Sequence, residues 1–355
     1  MIRIDEIYQN LFLPKIKSKP QQSMHWFHPF GMTSEEALHT RPLLNERTKS
    51  YLFWDQEPFY PDVHKDTIDY FHMAFIQPYG EDGTQAKFPV SELTIVTSEK
   101  NSKNLNELCE KMGYKQSYYF FHGWAALDWY RGYDRTSIIP KWKDREIKNT
   151  FFSPNRVVGG HRRHRISLLK NLALHNLVEG NQISFPKNCP YSNEDIYVEG
   201  VKLPLVFPGE TAGQIPNESY KISLWEHAQN SLVNVVTETL FEESTLHLTE
   251  KTFKPIVMQM PFILVAPMYS LEYLRSYGFK TFGQFWDEDY DMQNNEDRME
   301  SITRILKDLN SLSVKEKQQL QKHLTPIVEH NFKWFYSRTY ENKLWSELQG
   351  MMNQW

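Results

Sequence analysis

Acidic side chains and a lysine follow an apolar run in the second half of the chain. The run at residues 232–236 leads to Glu238, and the triplet Thr249, Glu250 and Lys251 comes after a polar loop. A second apolar run follows the triplet, and this order is typical of an α/β unit with parallel strands. Ligands bind outside the carboxyl ends of the strands in such sheets. Glu238, Glu250 and Lys251 are therefore predicted to lie at a ligand site.

Three arginines crowd the start of a predicted helix in the same half. Arg162, Arg163 and Arg165 follow a Gly-Gly loop, and apolar residues recur at a 3,4 spacing through residues 161–178. The helix macrodipole already places about half a positive charge at this end, so each added cation is unfavourable. A bound phosphate would remove the conflict, because backbone N–H groups and guanidinium groups both bind phosphate oxygens. A solvated basic patch is the alternative interpretation.

Titratable side chains also follow two predicted strands in the first half. The apolar residues 51–54 lead to Asp55 and Glu57, and the aromatic residues 118–121, predicted as a buried strand that opens into a turn, lead to His122. Positions at strand ends suit general acid–base chemistry. A solvated loop is the alternative for the two acids. A buried histidine satisfied by one backbone hydrogen bond is the alternative for His122.

Two short patterns have the spacing of metal ligands but lack supporting residues. His25 and His28 have no carboxylate or cysteine partner nearby, and Asp287 and Asp289 lie in a polar run after the second α/β unit. Short motifs of this kind often match by chance. We therefore predict no metal site, and we expect polar loops at both places.

The length of 355 residues allows two domains, each able to bury its own core. The predicted divisions are an N-terminal α/β domain at residues 1–148, a second α/β domain at residues 149–325 and a C-terminal helical segment at residues 326–355. The stretch at residues 134–150 is polar and charged, which favours an interdomain linker there.

Charge and hydropathy restrict the class of partner. The net charge of −4 creates no overall field that would attract nucleic acid or an anionic membrane. The longest apolar runs have about five residues, far below the ~20 that a bilayer requires. The two cysteines show neither metal-ligand nor disulfide-framework spacing. A soluble protein in the cytoplasm is the expectation.

The acid at a strand end, the T-E-K triplet that opens a helix and the Pro-led apolar strand after it resemble a known signature. It is the donor-binding signature of the α1,3-fucosyltransferase-like glycosyltransferases. The resemblance covers mainly residues 150–290, with a weaker likeness at residues 51–70. It implies a GT-B fold, in which two Rossmann-like domains are followed by a C-terminal helical segment that packs back on the first domain.

The resemblance also implies roles for individual residues. The co-substrate would be a UDP- or GDP-linked sugar, with no permanently bound cofactor and no required metal. The general base would be Glu57, with Asp55 and His122 as the next candidates, and Arg165 is the closest match to the arginine that holds the donor phosphates. The predicted donor-binding residues are Asn155, Arg156, Arg162, Arg165, Glu238, Thr249, Glu250 and Lys251.

The resemblance does not specify the molecule that carries the acceptor hydroxyl. Similar phage-encoded chains include enzymes that glycosylate hydroxymethylated bases in phage DNA, so modified DNA is a candidate acceptor alongside a glycan. The acidic balance of the chain weighs mildly against DNA. The alternative function is a non-catalytic protein that binds a nucleotide or a glycan in the same cleft.

Overall fold

The structure is a computed structural model that describes residues 3–18, 22–26, 49–55, 57–61, 64, 93–189, 194–207, 210, 220–242 and 245–355. His28 and the side chain of His25 lie outside these residues. The chain divides into two compact units, the first formed by Met1–Asp128 with Leu344–Trp355 and the second by Trp129–Lys343. No helix in the described part of the chain is long and apolar enough to cross a membrane.

The first unit contains a parallel sheet. The elements that begin before its boundary are α1 (Ile4–Glu6), a π-helical stretch (Ile7–Phe12), α2 (Leu13–Lys17), β1 (Gln22–Trp26), β2 (Lys49–Trp54), β3 (Leu93–Thr97), α3 (Lys103–Met112), β4 (Lys115–Tyr118) and α4 (Phe121–Trp129). The four strands pair in the order β1-β2-β3-β4, all parallel. The strand predicted at residues 51–54 is thus confirmed as part of β2.

The aromatic segment before His122 differs from its prediction. The strand β4 ends at Tyr118, and His122 is the second residue of the helix α4 instead of a turn residue at a strand end. Every residue from Phe121 to Leu127 is buried. A helix that is buried on all sides has no polar stripe, so its apolar run resembles a buried strand in the sequence.

The last residues of the chain belong to the first unit. The Trp355 ring lies 5.2 Å from the Phe12 ring and 4.6 Å from the Tyr51 ring. The Glu347 carboxylate accepts a hydrogen bond of 2.9 Å from the Phe120 amide. The predicted C-terminal segment at residues 326–355 is therefore divided, because its residues up to Lys343 belong to the second unit.

The second unit contains another parallel sheet. Its elements are β5 (Asn149–Pro154), α5 (His164–Leu174), β6 (Gln182–Ser184), α6 (Trp225–Ala228), β7 (Ser231–Thr237), α7 (Glu250–Val257), β8 (Phe262–Val265), α8 (Ser270–Ser276), α9 (Asn295–Ser311), α10 (Val314–Phe335) and α11 (Arg338–Met352), whose last residues reach into the first unit. The strands pair in the order β6-β5-β7-β8, all parallel. The α/β class is confirmed by both sheets.

The stretch predicted as a linker packs inside the second unit. Trp142 Nε1 donates to Gln321 O at 3.1 Å, and Gln321 Nε2 donates to Trp142 O at 2.7 Å. Arg145 is buried, its guanidinium donates to Met258 O, and burial lowers its pKa to about 10. A charged sequence can thus belong to a domain interior when its long side chains reach backbone carbonyls.

A glycine ends the helix α8 against a tryptophan of α10. Gly278 has a φ of +95°, and a Cβ at this position would overlap the indole ring of Trp334. The indole cannot easily move away, because Trp334 Nε1 donates to Tyr277 O at 2.8 Å. The position therefore requires glycine for two reasons, the left-handed backbone and the missing side chain.

We expect Gly278→Ala to lower the free energy of unfolding by about 2–5 kcal/mol, the sum of a left-handed alanine and an overpacked contact. The control is Gly180→Ala, since Gly180 has a φ of +79° and a Cβ there would meet no atom within 4 Å. It should lose only about 1–2 kcal/mol. Equal losses in urea denaturation would contradict the role of Trp334.

Candidate functional site

In the sheet of the second unit, the strand order reverses between β5 and β7. From β5 it continues outward to β6 on one side, whereas β7 and β8 extend the sheet on the other side. Ligands of open parallel sheets bind at such a point, outside the carboxyl ends of the strands. Asn155 follows β5 there, and Glu238 follows β7.

Asn155 joins the carboxyl ends of three strands. Its backbone N donates to Ser184 O at 3.1 Å, at the end of β6. Its Oδ1 accepts from Thr237 Oγ1 at 2.9 Å, at the end of β7. The side chain is buried, and its Nδ2 donates to the Ser153 carbonyl and hydroxyl oxygens. Asn155 therefore has a structural role, since it links the ends of β5, β6 and β7.

The Glu238 carboxylate binds the first turn of α7. It is fully buried and accepts three hydrogen bonds, from Thr249 N at 3.0 Å, from Thr249 Oγ1 at 2.6 Å and from Thr252 Oγ1 at 2.6 Å. A carboxylate is favoured at a helix N-terminus, where the macrodipole is positive. Thr249 is also the N-cap residue of α7, and the prediction that the T-E-K triplet opens a helix is confirmed. Glu238 and Thr249 therefore position Lys251, which lies two residues after Thr249.

The Lys251 ammonium is held by two threonine hydroxyls and lies near a carboxylate. Its Nζ donates to Thr249 Oγ1 at 2.9 Å and to Thr239 Oγ1 at 3.1 Å, and it lies 3.5 Å from Glu250 Oε1. Glu238 Oε2 lies farther away, at 3.9 Å. The side chain is 31% exposed, so its charge is held in place while it can still meet a ligand.

A cavity of about 160 Å³ opens at this edge of the sheet. Residues from the ends of β5 and β7 and from the first turns of α7 line it. Its charged lining residues are Arg156, Arg165, Lys221, Lys251, Lys254 and Glu250. Five cations around one carboxylate repel one another, and an anion with several oxygens would relieve that repulsion.

The two arginines of the cavity differ in their availability. Arg165 is buried, and its guanidinium donates to Val157 O at 2.7 Å, Thr237 O at 2.8 Å and Glu238 O at 3.0 Å. Arg156 is half-buried, and within the described residues no hydrogen bond or ion pair engages its guanidinium. This geometry favours Arg156 as the arginine that binds an anion. Arg165 instead links the backbone carbonyls at the strand edge to α5.

The other arginines of the predicted basic helix start lie elsewhere. The helix α5 begins only at His164, after a 3-10 turn at Gly160–Arg162. Arg163 is exposed and pairs with Glu194, with its Nη2 3.0 Å from Oε1. Arg162 is half-buried and is not among the residues that line the cavity. Of the three arginines, the structure brings only Arg165 to the cavity.

Two lysines of the cavity were not among the predicted site residues. Lys254 lies three residues after Lys251 on α7, a spacing that places both side chains on one helix face. That spacing is a signal available in the sequence. Lys221 reaches the cavity from the segment before α6, and no sequence pattern indicates its position.

His164, another residue outside the prediction, packs behind the site. Its Nε2 lies 3.1 Å from Glu238 O, and its ring stacks on Phe241 with centroids 5.4 Å apart. Burial lowers the pKa of His164 well below its usual value, and the charge of Arg165 lowers it further. The imidazole is therefore neutral near pH 7, and its Nε2 carries the proton that the carbonyl accepts.

Two of the predicted bases, Asp55 and Glu57, follow β2 in the first unit. Asp55 follows β2 and is buried, with its Oδ2 accepting hydrogen bonds from the hydroxyls of Tyr8 and Tyr119. Burial and the neighbouring Asp55 charge raise the pKa of Tyr119 well above its usual value. Glu57 is half-buried in the turn after β2. The geometry therefore favours Glu57 over Asp55 as a group that could meet a substrate.

His122 lies in α4, and an acid outside the prediction, Glu99, follows β3. His122 is buried in α4, with its ring 5.1 Å from the Phe121 ring in an edge-to-face contact. Glu99, buried just after β3, accepts a hydrogen bond of 2.7 Å from the Phe59 amide. A lone acid after a short strand gave no distinctive sequence signal, since Ser98 and Lys100 around it are typical of a polar loop.

The D-x-D pattern lies in a polar turn. Asp287 and Asp289 are both exposed, and Asp289 N donates to Asp287 Oδ1 at 2.8 Å. Among the residues that the structure describes, no group of three or more His, Cys, Asp or Glu is arranged to hold a metal ion.

Comparison with protein-family models and with curated proteins gives no match to this chain. The family suggested by the T-E-K signature therefore remains a prediction.

The neutral His164 makes the stability of the chain depend on pH. Its pKa is lower in the folded chain than in the unfolded chain. Below about pH 6.5 the unfolded chain takes up a proton that the folded chain does not, so the free energy of unfolding falls by up to about 1.4 kcal/mol per pH unit. We expect His164→Gln to reduce the loss between pH 7.5 and pH 5.5 by about 1 kcal/mol in urea denaturation.

The control for this experiment is His175→Gln, which removes an exposed histidine just after α5. It should leave the pH dependence as in the unaltered protein. If His164→Gln also keeps the full loss of stability at pH 5.5, the neutral imidazole does not account for it.

Proposed function

We propose that this protein is a glycosyltransferase of the GT-B type, built from two Rossmann-like domains, that transfers a sugar from a UDP- or GDP-linked donor to a hydroxyl group. One observation carries the proposal. The cavity outside the carboxyl ends of β5 and β7 is lined by five cations and one carboxylate, at the point where the strand order reverses.

A nucleoside diphosphate suits the charges of this cavity. The Arg156 guanidinium can bind two phosphate oxygens at once, and the Lys251 ammonium acts as a point charge that is already oriented by two threonine hydroxyls. Lys254, on the same face of α7, adds a third charge. A cavity of about 160 Å³ accommodates the diphosphate portion, and the sugar and base would extend from it.

The proposed reaction is a displacement at the anomeric carbon of the donor sugar. The acceptor oxygen forms a bond to this carbon while the bond from the carbon to the β-phosphate oxygen breaks. The electron pair of that bond leaves with the nucleoside diphosphate, and a carboxylate takes the proton of the acceptor hydroxyl. Arg156 and Lys251 would stabilise the charge that develops on the departing diphosphate.

The proposal assigns the base to Glu57. Its carboxylate is half-buried after β2, whereas Asp55 is buried and accepts from two tyrosine hydroxyls. His122, within α4, is the remaining candidate. The acceptor is a glycan or a hydroxymethylated base in DNA. A protein that only binds nucleotides would keep the affinity for UDP or GDP but would release neither from a nucleotide sugar.

We expect Arg156→Gln to weaken the binding of UDP or GDP by about 1.5–3 kcal/mol, because a hydrogen-bonded charge on phosphate is lost. The matched control is Arg163→Gln, which removes the same charge from an exposed arginine paired with Glu194. It should bind nucleotide as the unaltered protein does in isothermal titration calorimetry. No binding of either nucleotide to the unaltered protein at millimolar concentration would refute the donor site.

Glu57→Gln should reduce turnover by roughly 10²–10⁴-fold, the usual contribution of a general base, while the affinity for UDP or GDP stays unchanged. The assay measures release of nucleoside diphosphate from a panel of UDP- and GDP-sugars with glycan and hydroxymethylated DNA acceptors. Glu110→Gln, an exposed glutamate on α3, is the control. Normal turnover in Glu57→Gln would move the role to His122 or Asp55.

A further inference from the structure

A second, larger cavity lies next to the first. It has a volume of about 600 Å³ and is lined by residues of α5, the segment after β7 and the start of α9. His164 lines this cavity, while its neighbour Arg165 lines the first one. Both side chains bond to the same atom, Glu238 O, at 3.1 Å and 3.0 Å. The two cavities therefore share one wall.

The second cavity has the opposite charge. Its lining includes Glu242, Glu296 and Glu300, all exposed, and no lysine or arginine is among its described lining residues. No ion pair with another described residue neutralises any of the three carboxylates. Like charges that surround one space raise the free energy of the empty site and favour a cationic ligand.

His164 adds a buried acceptor to this lining. A carbonyl oxygen can only accept, so the contact with Glu238 O places the proton on Nε2 and leaves a lone pair on Nδ1. The side chain is 3% exposed, and its Nδ1 has no hydrogen-bond partner among the described residues. A buried acceptor without a partner is rare in folded proteins, and it indicates a ligand or water with an N–H or O–H donor.

The ligand therefore has to bring positive charge and hydrogen-bond donors together. A metal ion is a poor candidate, since no group of three or more His, Cys, Asp or Glu in the described residues is arranged to hold one. The polar residues Ser167 and Asn171 also line this space. We propose that this cavity is a binding site for an organic ammonium ligand, such as a diamine or an amino group of a larger molecule.

The test compares 1,5-diaminopentane with 1,5-pentanediol, which has the same length and no charge. We expect isothermal titration calorimetry at low salt to show saturable binding of the diamine alone, weakened when the salt concentration is raised. Glu296→Gln with Glu300→Gln removes two carboxylates of the cavity on one helix. This double variant should bind the diamine roughly 2- to 30-fold more weakly, as two exposed ion contacts would require.

The matched control is the double variant Glu226→Gln with Asp308→Asn, two exposed acids outside the cavity with the same total charge change. It should bind the diamine with unchanged affinity. Equal binding of the diol, equal weakening in both double variants, or no binding of the diamine would each overturn the proposal. Tighter binding of Mg²⁺ in competition with the diamine would overturn the ammonium class. Binding of UDP or GDP is a separate readout and does not enter the result.

Discussion

A buried carboxylate holds the strand edge of the second unit together. A fully buried Glu238 would be costly if its oxygens had no donors, and all three donors come from the first turn of α7. The end of β7 and the start of α7 are thereby fixed to each other, and Lys251 is fixed with them. Such support matters for chemistry, because a displacement of about 1 Å can cost a factor of roughly 100 in rate.

The backbone of the same residue separates two environments of opposite charge. Glu238 O accepts from His164 and from Arg165, which are neighbours on α5. Arg165 places its charge on the side of the cationic cavity, and His164, held neutral by burial, lies on the acidic side. A single peptide group thus joins a helix, a strand and the walls of two cavities. The carbonyl oxygen thus has a hydrogen-bond partner on each side.

The sequence allowed the parallel α/β class, the strand before Glu238 and the helix that the T-E-K triplet opens to be predicted. Short apolar runs with polar boundaries are local signals. The helix at His122 could not be recognised, because its buried surroundings remove the periodicity. The position of Arg165 near the helix start favours it in the sequence as a phosphate-binding residue. In the structure its guanidinium instead donates to three backbone carbonyls, which no sequence pattern reveals. Lys221 reaches the cavity only through tertiary folding.

The division of the chain has a consequence for its synthesis. The second unit, Trp129–Lys343, lies within the sequence of the first, because residues 344–355 return to the unit that the N-terminal residues begin. On the ribosome, the inserted unit is complete first. The aromatic cluster of Phe12 and Tyr51 is complete only when Trp355 has been synthesised and packs against both rings. The Phe12 and Tyr51 rings therefore reach their native packing only after all residues of the second unit have been synthesised.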